Sequence, residues 1–108
     1  MASRTLPPTE WQSYFARLSE TAYGRQARIE VLGSALGAQV IAQSSSLVGI
    51  TYEPKRNTLE ILVEGLDHII EKPKAISVLE DDEGLRALEI LDRDDRHQIL
   101  TLVRSASE

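Results

Sequence analysis

The stretch Trp11-Gln12-Ser13-Tyr14-Phe15-Ala16-Arg17-Leu18-Ser19-Glu20-Thr21-Ala22-Tyr23-Gly24-Arg25-Gln26-Ala27-Arg28-Ile29-Glu30-Val31-Leu32 changes its hydrophobic period half-way along. Trp11, Tyr14, Phe15 and Leu18 fall at i, i+3, i+4 and i+7, and Ala22 extends the same stripe, so one face of a helix is apolar. Gln12, Ser13, Arg17 and Glu20 occupy the opposite face, which makes this helix a cover for something else. Thr9 and Gln12 have the spacing of a capping box, Pro7-Pro8 blocks extension backwards, and Gly24 suits a left-handed terminator. Beyond Gly24 the period becomes two: Ile29 and Val31 face one way, as in a half-buried strand. A covering helix followed by alternation decides the fold class, α+β with an antiparallel sheet.

The rest of the chain continues the alternation. Residues 33–37, with a glycine at each end, supply a turn, and residues 39–43 return as a strand. Ser44-Ser45-Ser46 interrupts, after which residues 47–53 read as a separate strand with Val48, Ile50 and Tyr52 on one face. Pro54-Lys55-Arg56-Asn57 is a turn, because Pro54 presets φ and Asn57 tolerates the left-handed region. Leu59, Ile61 and Val63 share the inner face of the next strand. Residues 65–73 are expected to break the succession as a single helical turn or a surface-crossing loop, stopped by Pro73. In that turn Asp67 caps, and Ile69 or Ile70 anchors it to the core. Strands over residues 75–80, 87–91 and 98–103 follow, joined by the acidic turns Asp81-Asp82-Glu83-Gly84 and Asp92-Arg93-Asp94-Asp95-Arg96. The expectation is an N-terminal helix packed on a curled antiparallel sheet or small barrel of about seven strands. It forms a single domain over residues 1–108, with 1–7 and 105–108 flexible. The absence of helical crossovers excludes a parallel dinucleotide-binding sheet.

Composition narrows the function classes. Of 108 residues 42% are hydrophobic and 27% charged, so the chain can build a core. No apolar run approaches the ~20 residues of a membrane span, and the N-terminus lacks the apolar segment of a signal peptide. Zero cysteines exclude a disulfide framework, a thiolate zinc site and a cysteine nucleophile. A net charge of -5 and a pI of about 5.0 argue against a nucleic-acid partner. The acidity lies in the second half: residues 1–52 carry four Arg and three Glu, whereas residues 53–108 carry eight basic and fourteen acidic side chains. An acidic surface favours a basic protein partner. These features predict a cytoplasmic protein with no membrane and no nucleic-acid partner.

Chemistry-bearing residues are sparse. The two histidines, His68 and His97, lack the spacing of a zinc site, and neither acidic turn has the glycine and terminal glutamate of a calcium loop. No nucleophile elbow accompanies the serines, and Gly33-x-x-x-Gly37 lacks the Lys-Ser/Thr of a phosphate loop. No catalytic residue, metal site or cofactor is therefore predicted. The segment that breaks the strand run supplies the candidate ligand- or partner-binding residues Asp67, His68 and Lys72. His68 lies in sequence between Asp67 and Glu71, which favour a charged imidazole if they approach it in space.

Four motifs carry a resemblance: Trp11-x-x-Tyr14-Phe15, Ile29-Glu30-Val31, Leu47-Val48-Gly49-Ile50-Thr51-Tyr52-Glu53, and Asp67-His68-x-Ile70-x-x-Pro73. Together they resemble a family of short bacterial proteins that constitutes a domain of unknown function, over residues 11–103. The resemblance implies a bacterial, non-secreted, single-domain protein and carries over no catalytic residue. With no reaction machinery in view, the leading expectation is a non-catalytic association module, forming a homo-oligomer or binding a protein partner. The alternatives are a small-molecule-binding domain with a cavity between sheet and helix, and an enzyme using Asp67 and His68.

Overall fold

The computed structural model describes residues 2–35 and 37–103; residues 105–108, expected to be flexible, lie outside the described residues. Strand β1 (Ala2–Thr5), a 3-10 turn (Pro8–Glu10) and helix α1 (Trp11–Ala22) come first. Seven strands follow: β2 (Gln26–Gly33), β3 (Gly37–Glu53), β4 (Thr58–Val63), β5 (Leu66–Glu71), β6 (Ala75–Asp81), β7 (Gly84–Leu91) and β8 (His97–Leu102). All pair antiparallel in one sheet, in the order β1-β6-β7-β8-β2-β3-β4-β5. The two ends of that order, β1 and β5, stay apart, so the sheet is open and the barrel alternative falls.

The helix stripe is the core plug that its spacing predicts. Trp11, Tyr14, Phe15, Leu18 and Ala22 are buried in one cluster with Leu47, Ile50, Leu59, Ile61, Val63 and Ile70 of β3–β5, and with Ile76, Leu88, Ile90 and Leu100 beyond. Trp11 is wedged edge-on against Tyr52, ring centroids 5.1 Å apart, and its indole N–H donates to the Leu6 carbonyl at 3.1 Å. Tyr23, at the end of the aromatic run, is instead exposed. Gly24 has φ +85 and ends the helix as expected. Thr9 does not cap it. Pro7 is extended (φ -61, ψ 142), and Pro8 already starts the 3-10 turn that runs into α1, so Thr9 sits inside the helical path with no side-chain cap at all.

Four strand expectations are corrected. Residues 39–43 and 47–53 are one 17-residue strand, because the Gln26 side chain bridges the serine run. Its Nε2 donates to Ser46 Oγ at 3.0 Å, and its Oε1 accepts from Ser44 Oγ at 2.9 Å. Within β3 an extra residue at Val48 shifts the register against β4, so Leu47 faces the core and Val48 faces out. Residues 66–71 form no helical turn but strand β5. Glu64-Gly65, with Gly65 at φ +87, makes a two-residue reversal that brings β5 back along β4, Leu59 opposite Ile70 and Ile61 opposite His68. Ile70 is the buried anchor; Asp67 caps nothing. Before the helix, Ala2–Thr5 adds an eighth strand along β6.

β3 changes neighbours along its length. Its first half pairs with β2 and its second half with β4, leaving each half one open side. The second half is closed by the helix region. Ser19 Oγ donates to the Ile50 carbonyl at 3.0 Å and accepts the Ile50 N–H at 2.9 Å. Gly24 N–H bonds the Leu47 carbonyl, and Leu47 N–H bonds the Arg25 carbonyl. One hydroxyl and one bend thus stand in for a missing strand.

A candidate site at the turn between strands seven and eight

The three residues singled out from sequence are not brought together. On a strand, neighbours point to opposite faces. Asp67 projects from the outer face of β5, exposed, beside Glu60 of β4. The shared hydrogen bond with Asp67, partial burial and the repulsion of the second carboxylate all push the Glu60 pKa up. Lys72 follows the strand at φ +51, its N–H held by the Asn57 carbonyl. Glu71 also faces out, paired with Arg93 at 3.4 Å, so the expected enclosure of His68 between two acids does not form.

His68 alone turns inward, half-buried, in phase with Leu66 and Ile70. There it meets Gln98 of β8, Nε2 to Oε1 at 2.6 Å. Gln98 is buried, and its Nε2 donates at 2.8 Å to Asp92 Oδ2. Asp92 is only 2% exposed and opens the turn before β8. Its Oδ1 accepts the N–H groups of Asp94 and Arg96, each at 2.9 Å, and its Oδ2 also accepts Arg96 Nε at 3.0 Å. Burial by itself raises a carboxyl pKa; here the four donors, Gln98 foremost, outweigh it and hold Asp92 below the usual aspartate range. An ionised Asp92 only accepts, so the amide of Gln98 must present nitrogen to it and oxygen to His68. His68 therefore carries its proton on Nε2. The chain Arg96–Asp92–Gln98–His68 fixes the tautomer of a residue on the sheet edge from a turn two strands of sequence away.

A cleft of about 170 Å³ opens beside this chain, with Ile70, Asp92, Arg93, Arg96 and Gln98 among its walls. That is below the roughly 300–1,000 Å³ of ordinary ligand pockets. Every charged wall group is already paired: Arg93 with Glu71, and Arg96 with Asp92 and Asp94. As chemistry, the arrangement is a structural latch. Its hydrogen bonds tie the turn before β8 to Gln98 and, through it, to His68 of β5. No group of three or more metal-ligating side chains occurs among the described residues.

Sequence reasoning missed Asp92 and Gln98, although a signal was present. Gln98 is in phase with Leu100 and Leu102, as His68 is with Leu66 and Ile70. Two polar residues in core phase on different strands are candidates to satisfy one another.

No helix among the described residues is long and apolar enough to cross a membrane. No solved structure matches the chain. An uncharacterized protein of Aquifex aeolicus (strain VF5) is 34% identical over 103 residues, spanning 94% of this chain and 93% of its own length. Residues 2–107 match the family of unknown function DUF5335, and on that match, with the likeness to the Aquifex protein over nearly the whole chain, this protein belongs to that family.

Proposed function

We propose that this chain is a non-catalytic association domain, acting in the cytoplasm by joining a protein partner or further copies of itself. The observation that carries the reading is the outer face of the sheet. Helix α1 covers the inner face only, and no second layer covers the outer face among the described residues. Strand register lines up Leu79 with Ala87, Ile99 with Glu30 and Val40, and Leu91 with His97 and Leu32 across that face. A solvated sheet face ordinarily alternates to polar residues. Here leucine, isoleucine, valine and alanine recur, and Leu79, Ala87 and Ile99 floor a shallow depression of about 270 Å³. Such apolar surface on a small domain favours a partner.

The other readings have less support. A ligand cavity between helix and sheet competes with Trp11, Phe15, Leu47 and Ile61, which fill that space at 3% exposure or less. An enzyme using Asp67 and His68 needs two side chains that point to opposite faces. Native mass spectrometry of the protein from its own host tests the proposal. A homo-oligomer or a protein complex is expected; a monomer, bare or holding only a small molecule, overturns it.

A further inference from the structure

We infer that the first half of β3 is the contact through which two copies of this chain pair edge to edge, an inference that rests on the association reading. An open strand edge is a template for another strand, and folded proteins blunt such edges with shortness, charge, proline or a cover. The other edges of this sheet are blunted. β1 is four residues long, and its Arg4 forms ion pairs with Glu10 and Glu80. β5 carries Asp67 and Glu71 and runs into Lys72-Pro73. The second half of β3 is sealed by Ser19 and the residues after α1.

Residues 37–45 have neither charge, proline nor cover, and only two register shifts against β2, at Ile41 and between Ala42 and Ser45, interrupt the edge. β2 pairs with them on one side, and no strand or helix among the described residues pairs with them on the other. From Val31 to Tyr52 the sequence holds no Asp, Glu, Lys, Arg, His or Pro, in a chain that is 27% charged. On this edge Val40 and Ile41 are 46% and 38% exposed. The missing charge selects the occupant. Two copies that each carry a net charge of -5 repel almost anywhere else, but they can approach along a neutral edge. A basic partner peptide, by contrast, finds no acid here to recognise.

The edge is also complementary to itself. A two-fold axis at Gln39, on the hairpin side of the bulge at Ile41, sets Val40 of one copy opposite Ala38 of the other, both on the outer face, with Gln39 opposite its own copy. Register shifts against β2 near Ile29 bend β3 and keep the matched stretch short, so the pairing is weak, on the order of micromolar.

Sedimentation of the wild type and of two variants tests this, with a cysteine variant as an independent readout. The wild type is expected to pass from monomer to dimer with rising concentration. Ile41→Lys, at an exposed position, should keep the thermal midpoint and weaken the dimer by about tenfold or more. Ile99→Lys, on the outer face, should leave the dimer intact. In this cysteine-free chain Gln39→Cys should oxidise to a disulfide-linked dimer, whereas Ile69→Cys should not; that pair decides the matter if the lysine variant does not fold. A wild type that stays monomeric overturns the edge pairing, and one that nevertheless holds a different protein in native mass spectrometry leaves the association reading standing. A dimer that survives Ile41→Lys but is lost in Ile99→Lys also overturns the edge pairing and moves the contact to the sheet face.

Discussion

Replacing Asp92 with asparagine tests the latch at its source and can be read out at its far end. The carboxylate accepts four hydrogen bonds at 2.8–3.0 Å while 2% exposed. In Asp92→Asn the new carbonyl oxygen can keep the two backbone N–H groups. The amide nitrogen then faces Arg96 Nε and Gln98 Nε2, two donors. Gln98 recovers its bond by turning its amide over, which presents its own nitrogen to His68 Nε2. His68 must then accept there, so its proton moves to Nδ1. Arg96 Nε has no such remedy. A hydrogen bond to a charged group contributes about 1.5–3 kcal/mol, so losing one and neutralising the acceptor of the others should cost about 2–4 kcal/mol. Urea unfolding measures the cost, and imidazole nitrogen NMR shifts report the tautomer of His68. The acid limb should change as well. The folded pKa of Asp92 is depressed, so its stabilisation is complete above the ordinary aspartate value of about 3.9 and is lost as pH falls through the lower folded value. Asp92→Asn removes that part of the acid dependence. A variant in which His68 keeps its proton on Nε2 while stability drops would refute the relay through Gln98.

Four further outcomes are expected. Trp11→Ala, which empties a buried site and frees the Leu6 carbonyl, should cost about 3–5 kcal/mol in denaturant unfolding, and a loss under 1.5 kcal/mol would contradict the packing. Ser19→Ala strips both backbone bonds from Ile50 and should cost about 1–3 kcal/mol, with faster amide exchange at Ile50 than at Leu59 as the local signature. Glu60 has a raised folded pKa, so stability is gained as pH falls through that value and lost as pH rises past it; Glu60→Gln should therefore add a few tenths of a kcal/mol at neutral pH and flatten this dependence. EDTA should leave the thermal midpoint unchanged, and a drop of several degrees would reveal a bound cation at an acidic turn.

Periodicity was legible wherever one side of an element faces water. The helix stripe from Trp11 to Ala22 and the inner positions of β2, β4 and β6 follow from spacing alone. The failures have physical causes. Residues 66–71 alternate as Leu66, His68 and Ile70, but His68 in a core position masks the period, and its burial makes sense only once Gln98 arrives from thirty residues away. Ser44-Ser45-Ser46 reads as a break because serine favours turns, yet a side chain from the neighbouring strand satisfies it. Val48 is turned outward by an extra residue, and one inserted residue inverts any alternation that follows it. Asp92 could be read as a turn former; that the turn would fold inward around its carboxylate depends on the strand beside it.

The place of β8 has a consequence for synthesis. This late segment lies in the middle of the sheet, between β7 and β2. The meander β2–β5 and the hairpin β6–β7 are built from neighbouring segments and can assemble as they leave the ribosome. Neither can join the other until β8 arrives, so β2 keeps a bare flank until residues 97–102 have been made. β8 works as a keystone. Any truncation that removes residues 97–102 should leave two half-sheets with residues 27–32 of β2 unpaired on that flank, and the expected fate of such a nascent chain is capture by chaperones or aggregation.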